Sequence, residues 1–195
     1  MSRVKDLEAQ LERTEHQLRL LQQISRFMVK EATLQDTLAG VNALVVDFMA
    51  CDSCLIYLID ADELVLCSSH EGDRSVLGRV RLKKGEGLTG WVAQNRRLLA
   101  ISREAYNDAR FKYFSALPED TYEAFLSAPI IARNRVVGVL NVQHRAKHQH
   151  TGAEMEMITT IGEQIGSLLV LARMAPETVE KANHLELVFP AKVAR

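Results

Sequence analysis

The sequence has few cysteines, almost no net charge and no long hydrophobic run, and each absence removes a class of protein. Three cysteines in 195 residues, an odd count, make no disulfide framework and leave a reduced, cytoplasmic protein as the default. A net charge of −1 lacks the basic excess of a dedicated nucleic-acid binder. No apolar run approaches the roughly 18 residues that suggest a membrane span. The opening Met-Ser-Arg-Val-Lys-Asp-Leu-Glu is too charged for a signal peptide. What is present is ordinary for a folded protein: 47% hydrophobic and 25% charged residues, at a length that suits one domain plus an appendage.

The appendage is read from periodicity. Val4, Leu7, Leu11, Thr14, Leu18 and Leu21 alternate in steps of three and four, the a/d seam of a coiled coil, with charged and amide residues between them. Residues 1–30 are therefore expected to form an amphipathic helix. Its seam of about 2.5 heptads is too short to stand alone. It reads as a dimer seam, the alternative being a helix lying on its own domain. Thr33 and Asp36 then supply an N-cap and an acidic first turn for a core-facing helix to Ala50.

Strands follow. Cys54–Ile59 and Leu64–Ser68 flank the turn at 60–62 and predict an antiparallel hairpin. Arg79–Lys83 alternates charge with aliphatic residues, as a half-exposed edge strand does. A short helix over Leu88–Asn95 and a strand at Leu98–Ile101 come next. A second hairpin, Ala124–Ile131 with Arg135–Gln143, turns at Arg133 and Asn134, where Asn tolerates the left-handed conformation. Thr151 and Glu154 have capping-box spacing and open a helix to about Met174. Its expected core face is Ile158, Ile161, Ile165, Leu168 and Ala172. Met155, Met157, Leu169 and Leu171 lie off that face and favour a dimer surface. Residues 175–195 show no period and read as a tail or linker.

Strands 54–59 and 136–142 are apolar on both faces yet joined by tight turns, which predicts an antiparallel sheet covered on both sides. Helices 20–50 and 152–174 cover one side. The stretch 70–95 and the long connection 102–122 are left for the other. A connection of about 20 residues with little pattern is usually functional. With its aromatic and charged residues it is expected to roof a small-molecule pocket. Trp91, Phe111, Tyr113 and Phe114 would form apolar walls, and Asp108, Arg110 and Ser127 would fix polar groups. The alternative is that the aromatics simply complete a filled core.

The order of these pieces resembles a known family. The strand hairpin, Gly85-Glu-Gly-Leu-Thr-Gly-Trp-Val-Ala93, Leu98-Leu-Ala-Ile101, Asn107-Asp-Ala-Arg-Phe111, Ala128-Pro-Ile-Ile131, Val136-Val-Gly-Val-Leu-Asn-Val-Gln143 and the closing helix are together similar to a GAF domain of bacterial signalling proteins, over residues 20–174. The resemblance implies an α+β, PAS-like fold: an antiparallel sheet of about six strands, helices on one face, a small-molecule pocket on the other. It also implies homodimers through the first and last helices and a signalling output domain or protein outside this chain. The Asn-Lys-Phe-Asp-Glu motif of cyclic-nucleotide-binding relatives is absent, and no cysteine lies between 102 and 150 to attach a bilin.

Other chemistries are weighed and set aside at this level. Gly85, Gly87 and Gly90 match a dinucleotide fingerprint in letters, but the preceding Arg-Val-Arg-Leu-Lys is no buried parallel strand, so a tight turn is expected. Cys51, Cys54 and Cys67 suggest a redox or metal sensor, but they do not match the pocket-flanking cysteines of GAF-type free methionine sulfoxide reductases. His144, His148 and His150, beside Arg145 and Lys147, read as a solvated basic loop, with no metal site assigned. Gly162 and Gly166 mark close helix packing, against the domain's own helix or a partner's. The expectation is a non-enzymatic cytoplasmic sensor with no cofactor beyond an unidentified small-molecule ligand. A dimerisation scaffold with a filled pocket and a Cys-based sensor are the alternatives.

Overall fold

The computed structural model describes residues 2–29, 32–70, 74–113 and 122–172. Helix α1 (Ser2–Met28) and helix α2 (Leu34–Met49) precede strands β1 (Ser53–Asp60), β2 (Glu63–Ser69) and β3 (Arg81–Lys83). Helix α3 (Gly87–Asn95), strands β4 (Leu99–Ile101), β5 (Ala124–Ala132) and β6 (Arg135–His144), and helix α4 (Gly152–Ala172) complete the order. The expected starts are built as read. Thr33 Oγ1 accepts from the Asp36 amide at 3.1 Å, and Thr151 Oγ1 accepts from the Glu154 amide at 3.2 Å while the Glu154 carboxylate takes the Thr151 amide at 2.6 Å.

The six strands form one antiparallel sheet in the order β3-β2-β1-β6-β5-β4. Arg133 and Asn134 both take positive φ, 47° and 59°, between paired Ala132 and Arg135, which is the two-residue turn whose twist matches a hairpin. Side chains alternate across the sheet. Cys54, Ile56, Leu126, Ala128, Ile130, Leu140 and Val142 pack with Leu20 and Ile24 of α1, Leu38, Val41 and Val45 of α2, and Ile158, Ile161 and Ile165 of α4. The opposite parity, Leu55, Tyr57 and Val139, packs with Leu64, Leu66, Val80, Leu82, Val92 and Ala93 under α3 and the segment before β3. The sheet is thus covered on both sides, as its two-sided hydrophobicity demands.

Three readings of α4 are corrected. Leu169 and Met157 are buried in the helix-side core, whereas Leu168 is only half-buried, so the inward face is rotated from the expected one. Met155 also packs against that core, so three of the four residues read as a dimer surface belong to the helix-side core. The small pair meets no helix: a Cβ at Gly166 would lie 2.4 Å from the Ile131 carbonyl oxygen, and one at Gly162 3.3 Å from that of Pro129. The glycines let α4 lie directly on the β5 backbone. Leu171, Ala172 as a core side chain and the tail 175–195 lie outside what the structure describes.

Gly166→Ala should therefore be destabilising. Overpacking against backbone costs about 1–3 kcal/mol, and the helix preference of Ala over Gly returns only about 1 kcal/mol. Gly152→Ala, where nothing lies within 4 Å, should lose nothing. Urea unfolding midpoints of the two variants check the contrast.

Candidate ligand site

The distal face of the sheet, away from α1, α2 and α4, carries a polar line. Ser127 and Asn141 are cross-strand partners on β5 and β6. The Ser127 hydroxyl donates to Asn141 Oδ1 at 2.6 Å, and Asn141 Nδ2 donates to Thr89 Oγ1 of α3 at 2.8 Å. All three residues are buried. The line contains no ionisable group: Ser127 donates to an amide, which cannot remove its proton as a general base would. Its chemistry is neutral hydrogen bonding in a low-dielectric setting, suited to recognition.

Helix α3 is set above this line by the glycine turn. Gly85 and Gly87 take φ of 86° and 66°, and the Gly85 amide donates to the Gly90 carbonyl at 2.8 Å. This is the tight turn expected from the sequence. Glu86 accepts from the Lys83 amide at 2.7 Å and pairs with Lys112, which, with that amide, holds its carboxyl below the usual range. The pair ties the start of α3 to the end of the strap at 102–113.

That strap carries four of the expected site residues. Asp108 grips Arg110 with both carboxylate oxygens, at 2.8 and 2.7 Å, and accepts its amide at 2.9 Å. The Arg110 guanidinium holds the Asp108 carboxyl below its ordinary pKa. Arg110 in turn lies over the Trp91 ring of α3, 4.7 Å from its centroid. Phe111 meets Tyr113 edge-on at 4.9 Å and packs against Leu88, Ala105 and Phe125. Tyr113 is 66% exposed. The base of the strap is anchored by Glu123, which accepts from the Glu104 amide at 3.1 Å and the Tyr106 hydroxyl at 3.0 Å. Trp91, Asp108 and Arg110 thus form one group, Phe111 and Tyr113 a second, and Ser127 lies beneath α3. Phe114 and the rest of the connection to 121 lie outside the described residues. Thr89 and Asn141 were not anticipated as site residues. Asn141 was detectable as the one amide on the inner strand Val136–Val142, in register with Ser127.

The cysteines and histidines lie elsewhere. Cys51 and Cys54 belong to the helix-side core and Cys67 packs against it. Burial raises all three thiols, that of Cys51 to about 12, so they are poor nucleophiles. The solvated histidine loop is corrected outright: His144 and His150 are buried, and with His148 they form a cluster at the end of β6.

A model of the GAF domain family matches residues 33–169, and the chain belongs to that family. It is similar to a phosphoenolpyruvate-dependent phosphotransferase system protein of Escherichia coli (strain K12), 29% identical over 155 residues, 77% of this chain and 21% of that protein. The chain therefore spans about a fifth of the length of this curated relative. Among solved structures, the GAF domain of an Acinetobacter phosphoenolpyruvate-protein phosphotransferase is 28% identical with a TM-score of 0.72, covering 80% of this chain and 94% of that one. The corresponding GAF domain from Coxiella burnetii gives 25% identity and a TM-score of 0.76, over 82% and 95%. A free methionine-R-sulfoxide reductase from Neisseria meningitidis, 18% identical over 80% of this chain and 90% of that one with a TM-score of 0.66, shares the fold.

Two outcomes follow. Asn141→Ala strands two buried hydroxyls and should cost about 1–3 kcal/mol for each one left unsatisfied, read by urea unfolding. Asp108 has a depressed pKa in the fold, so its contribution is complete above the ordinary carboxylate range and is lost as pH falls through the depressed value. Releasing Arg110 should then shift the emission of Trp91, the sole tryptophan. In Asp108→Asn that acid step should be missing.

Proposed function

We propose that this chain is a non-catalytic, cytoplasmic GAF sensor that binds a small molecule between the distal face of the sheet and the 102–122 connection. The observation that carries the reading is the buried line Ser127–Asn141–Thr89, together with Arg110 of the strap, gripped by Asp108, over the Trp91 ring of the same helix that carries Thr89. A stacked guanidinium, an indole face and neutral amide and hydroxyl groups suit a small polar ligand with an apolar flank. The raised thiols argue against cysteine catalysis. Similarity to the GAF domains of phosphoenolpyruvate-protein phosphotransferases supports phosphoryl transfer from phosphoenolpyruvate as the output that this domain regulates.

The signal leaves through helices of a homodimer. Val4, Leu7, Leu11 and Leu18 of α1 are 55–61% exposed, a seam unpartnered within the described chain. A groove of about 310 Å³ between α1 and α4, lined by Leu18, Leu21 and Met157 among others, continues that seam. Among the described residues no helix is long and apolar enough to cross a membrane. A filled-pocket scaffold is the second reading, favoured by the mutual satisfaction of Ser127, Asn141 and Thr89.

Native mass spectrometry of the purified chain tests both parts. A dimer carrying extra mass that is lost on denaturation is expected, with Leu7→Glu/Leu11→Glu giving monomer. A metabolite titration followed by Trp91 fluorescence should saturate, and Arg110→Ala should weaken it at least tenfold. A bare dimer with no saturating metabolite would establish the scaffold instead, and a monomer would remove the helical output.

A further inference from the structure

The end of β6 and the approach to α4 bring three imidazoles together on the helix side of the sheet, apart from the proposed ligand site. His144 ends β6 with the parity of Leu140 and Val142. His148 and His150 come from the segment before α4, whose path is fixed at three points. The His148 amide donates to the Ser102 carbonyl at 3.0 Å, the Arg145 amide donates to Asp52 at 2.7 Å, and Thr151 caps α4. The His144 and His148 rings stack at 4.1 Å with planes 9° apart, and His150 lies 4.9 and 5.6 Å from them. One donor atom from each ring lies within 4.8 Å of the other two.

These rings are not settled as ordinary core residues. His144 and His150 are only 6% and 4% exposed, yet His144 Nε2 makes no hydrogen bond of good geometry, and the His150 ring meets the Ile101 backbone only at poor geometry. Buried polar atoms normally find partners, and leaving one without is costly. The unpartnered nitrogens belong to rings that already face one another.

We propose that His144, His148 and His150 form a binding site for a divalent transition-metal ion of the zinc type. Three imidazoles are the donor set that Zn²⁺ and its neighbours accept and that Ca²⁺ and Mg²⁺ refuse. Zinc–imidazole bonds of about 2.0–2.1 Å at tetrahedral angles put the nitrogens about 3.4 Å apart, and the His144 and His148 rings must turn out of their stack so that the ion lies in the plane of each. Glu154 completes the arrangement from outside. Its Oε1 lies 2.8 Å from His148 Nε2, and its Oε2 is held by the amide and hydroxyl of Thr151 at 2.6 and 2.8 Å. A ligating histidine that gives its other N–H to a fixed carboxylate is the usual support of such a site. His148 then binds through Nδ1, and a fourth position is left for water. The ion would lock the first turn of α4 to the strap, since the His148 backbone holds Ser102 where the strap begins.

The test uses the full chain without an affinity tag, stripped with chelator and titrated with Co²⁺ and Zn²⁺. One Co²⁺ per chain should bind with the visible bands of a low-symmetry nitrogen site and without thiolate charge transfer. Zn²⁺ should displace it and raise the melting temperature. His148→Ala, the least buried of the three, and His150→Ala should each weaken Co²⁺ binding at least tenfold, and Glu154→Gln should weaken it about 10–100-fold, with far-UV circular dichroism unchanged. Cys51→Ser/Cys54→Ser should bind as the parent does. A parent chain that binds no Co²⁺ at micromolar concentration overturns the proposal. So does binding that survives His148→Ala/His150→Ala, or that shows thiolate charge transfer.

Discussion

The fold depends on the pairing of β1 with β6. Each has its hairpin partner next to it in sequence, so β1–β2 and β5–β6 form locally, and only β1–β6 joins the two halves of the sheet. The register from Ser53↔Gln143 to Leu58↔Gly138 places both strands at the centre, where neither face meets water. A tight approach is part of this pairing: a Cβ at Gly138 would lie 2.4 Å from the Tyr57 carbonyl oxygen. Once two strands hydrophobic on both sides are joined, cover on both faces becomes obligatory. The long helices supply it on one side, and α3 with its flanking segments supplies it on the other.

The two covers are unequal. Helices α2 and α4 press branched aliphatics onto the sheet in one continuous core. Helix α3 has nine residues and covers the distal face together with the segment before β3. The polar line Ser127–Asn141–Thr89 ties this helix to β5 and β6, and the strap meets the helix through Arg110 over Trp91. Polar groups inside a domain require full satisfaction. This line meets that requirement with three short side chains and no charge, while the charged pair Asp108–Arg110 stays at the half-exposed rim.

Most elements were legible because their signals are local. The capping residues Thr33 and Thr151, the Arg133–Asn134 turn and the alternation of the strands each depend on neighbours within a few positions. The failures share a different cause. Gly162 and Gly166 announce close approach, but the surface approached is a strand backbone that spacing cannot name. Leu168 and Leu169 are adjacent, so a small rotation of α4 exchanges their roles. His144, His148 and His150 were read as solvated because Arg145 and Lys147 lie among them. Their burial follows from a backbone path set by Asp52 and Ser102, residues far away in sequence. Of the candidate site, Trp91 is readable as an apolar wall and Asp108 and Arg110 as polar groups of the long connection, and the fold brings the three together, whereas Thr89 enters only through the seating of α3.

The same alternation that separates the two faces also links them. Strand β6 shows Asn141 to the distal face, while Leu140 and Val142 on either side of it lie in the helix-side core. His144 follows at the same parity, beside the first turn of α4. A close-packed interior transmits displacement because it has no slack to absorb it. A shift of Asn141 toward or away from Thr89 therefore moves backbone that packs on α2 and α4 within one residue. Ser127 makes the same connection on β5, with Leu126 and Ala128 as its neighbours and the glycine face of α4 directly on that strand. The central strands need no moving lever to join the distal face to the helices, because each of them is part of both.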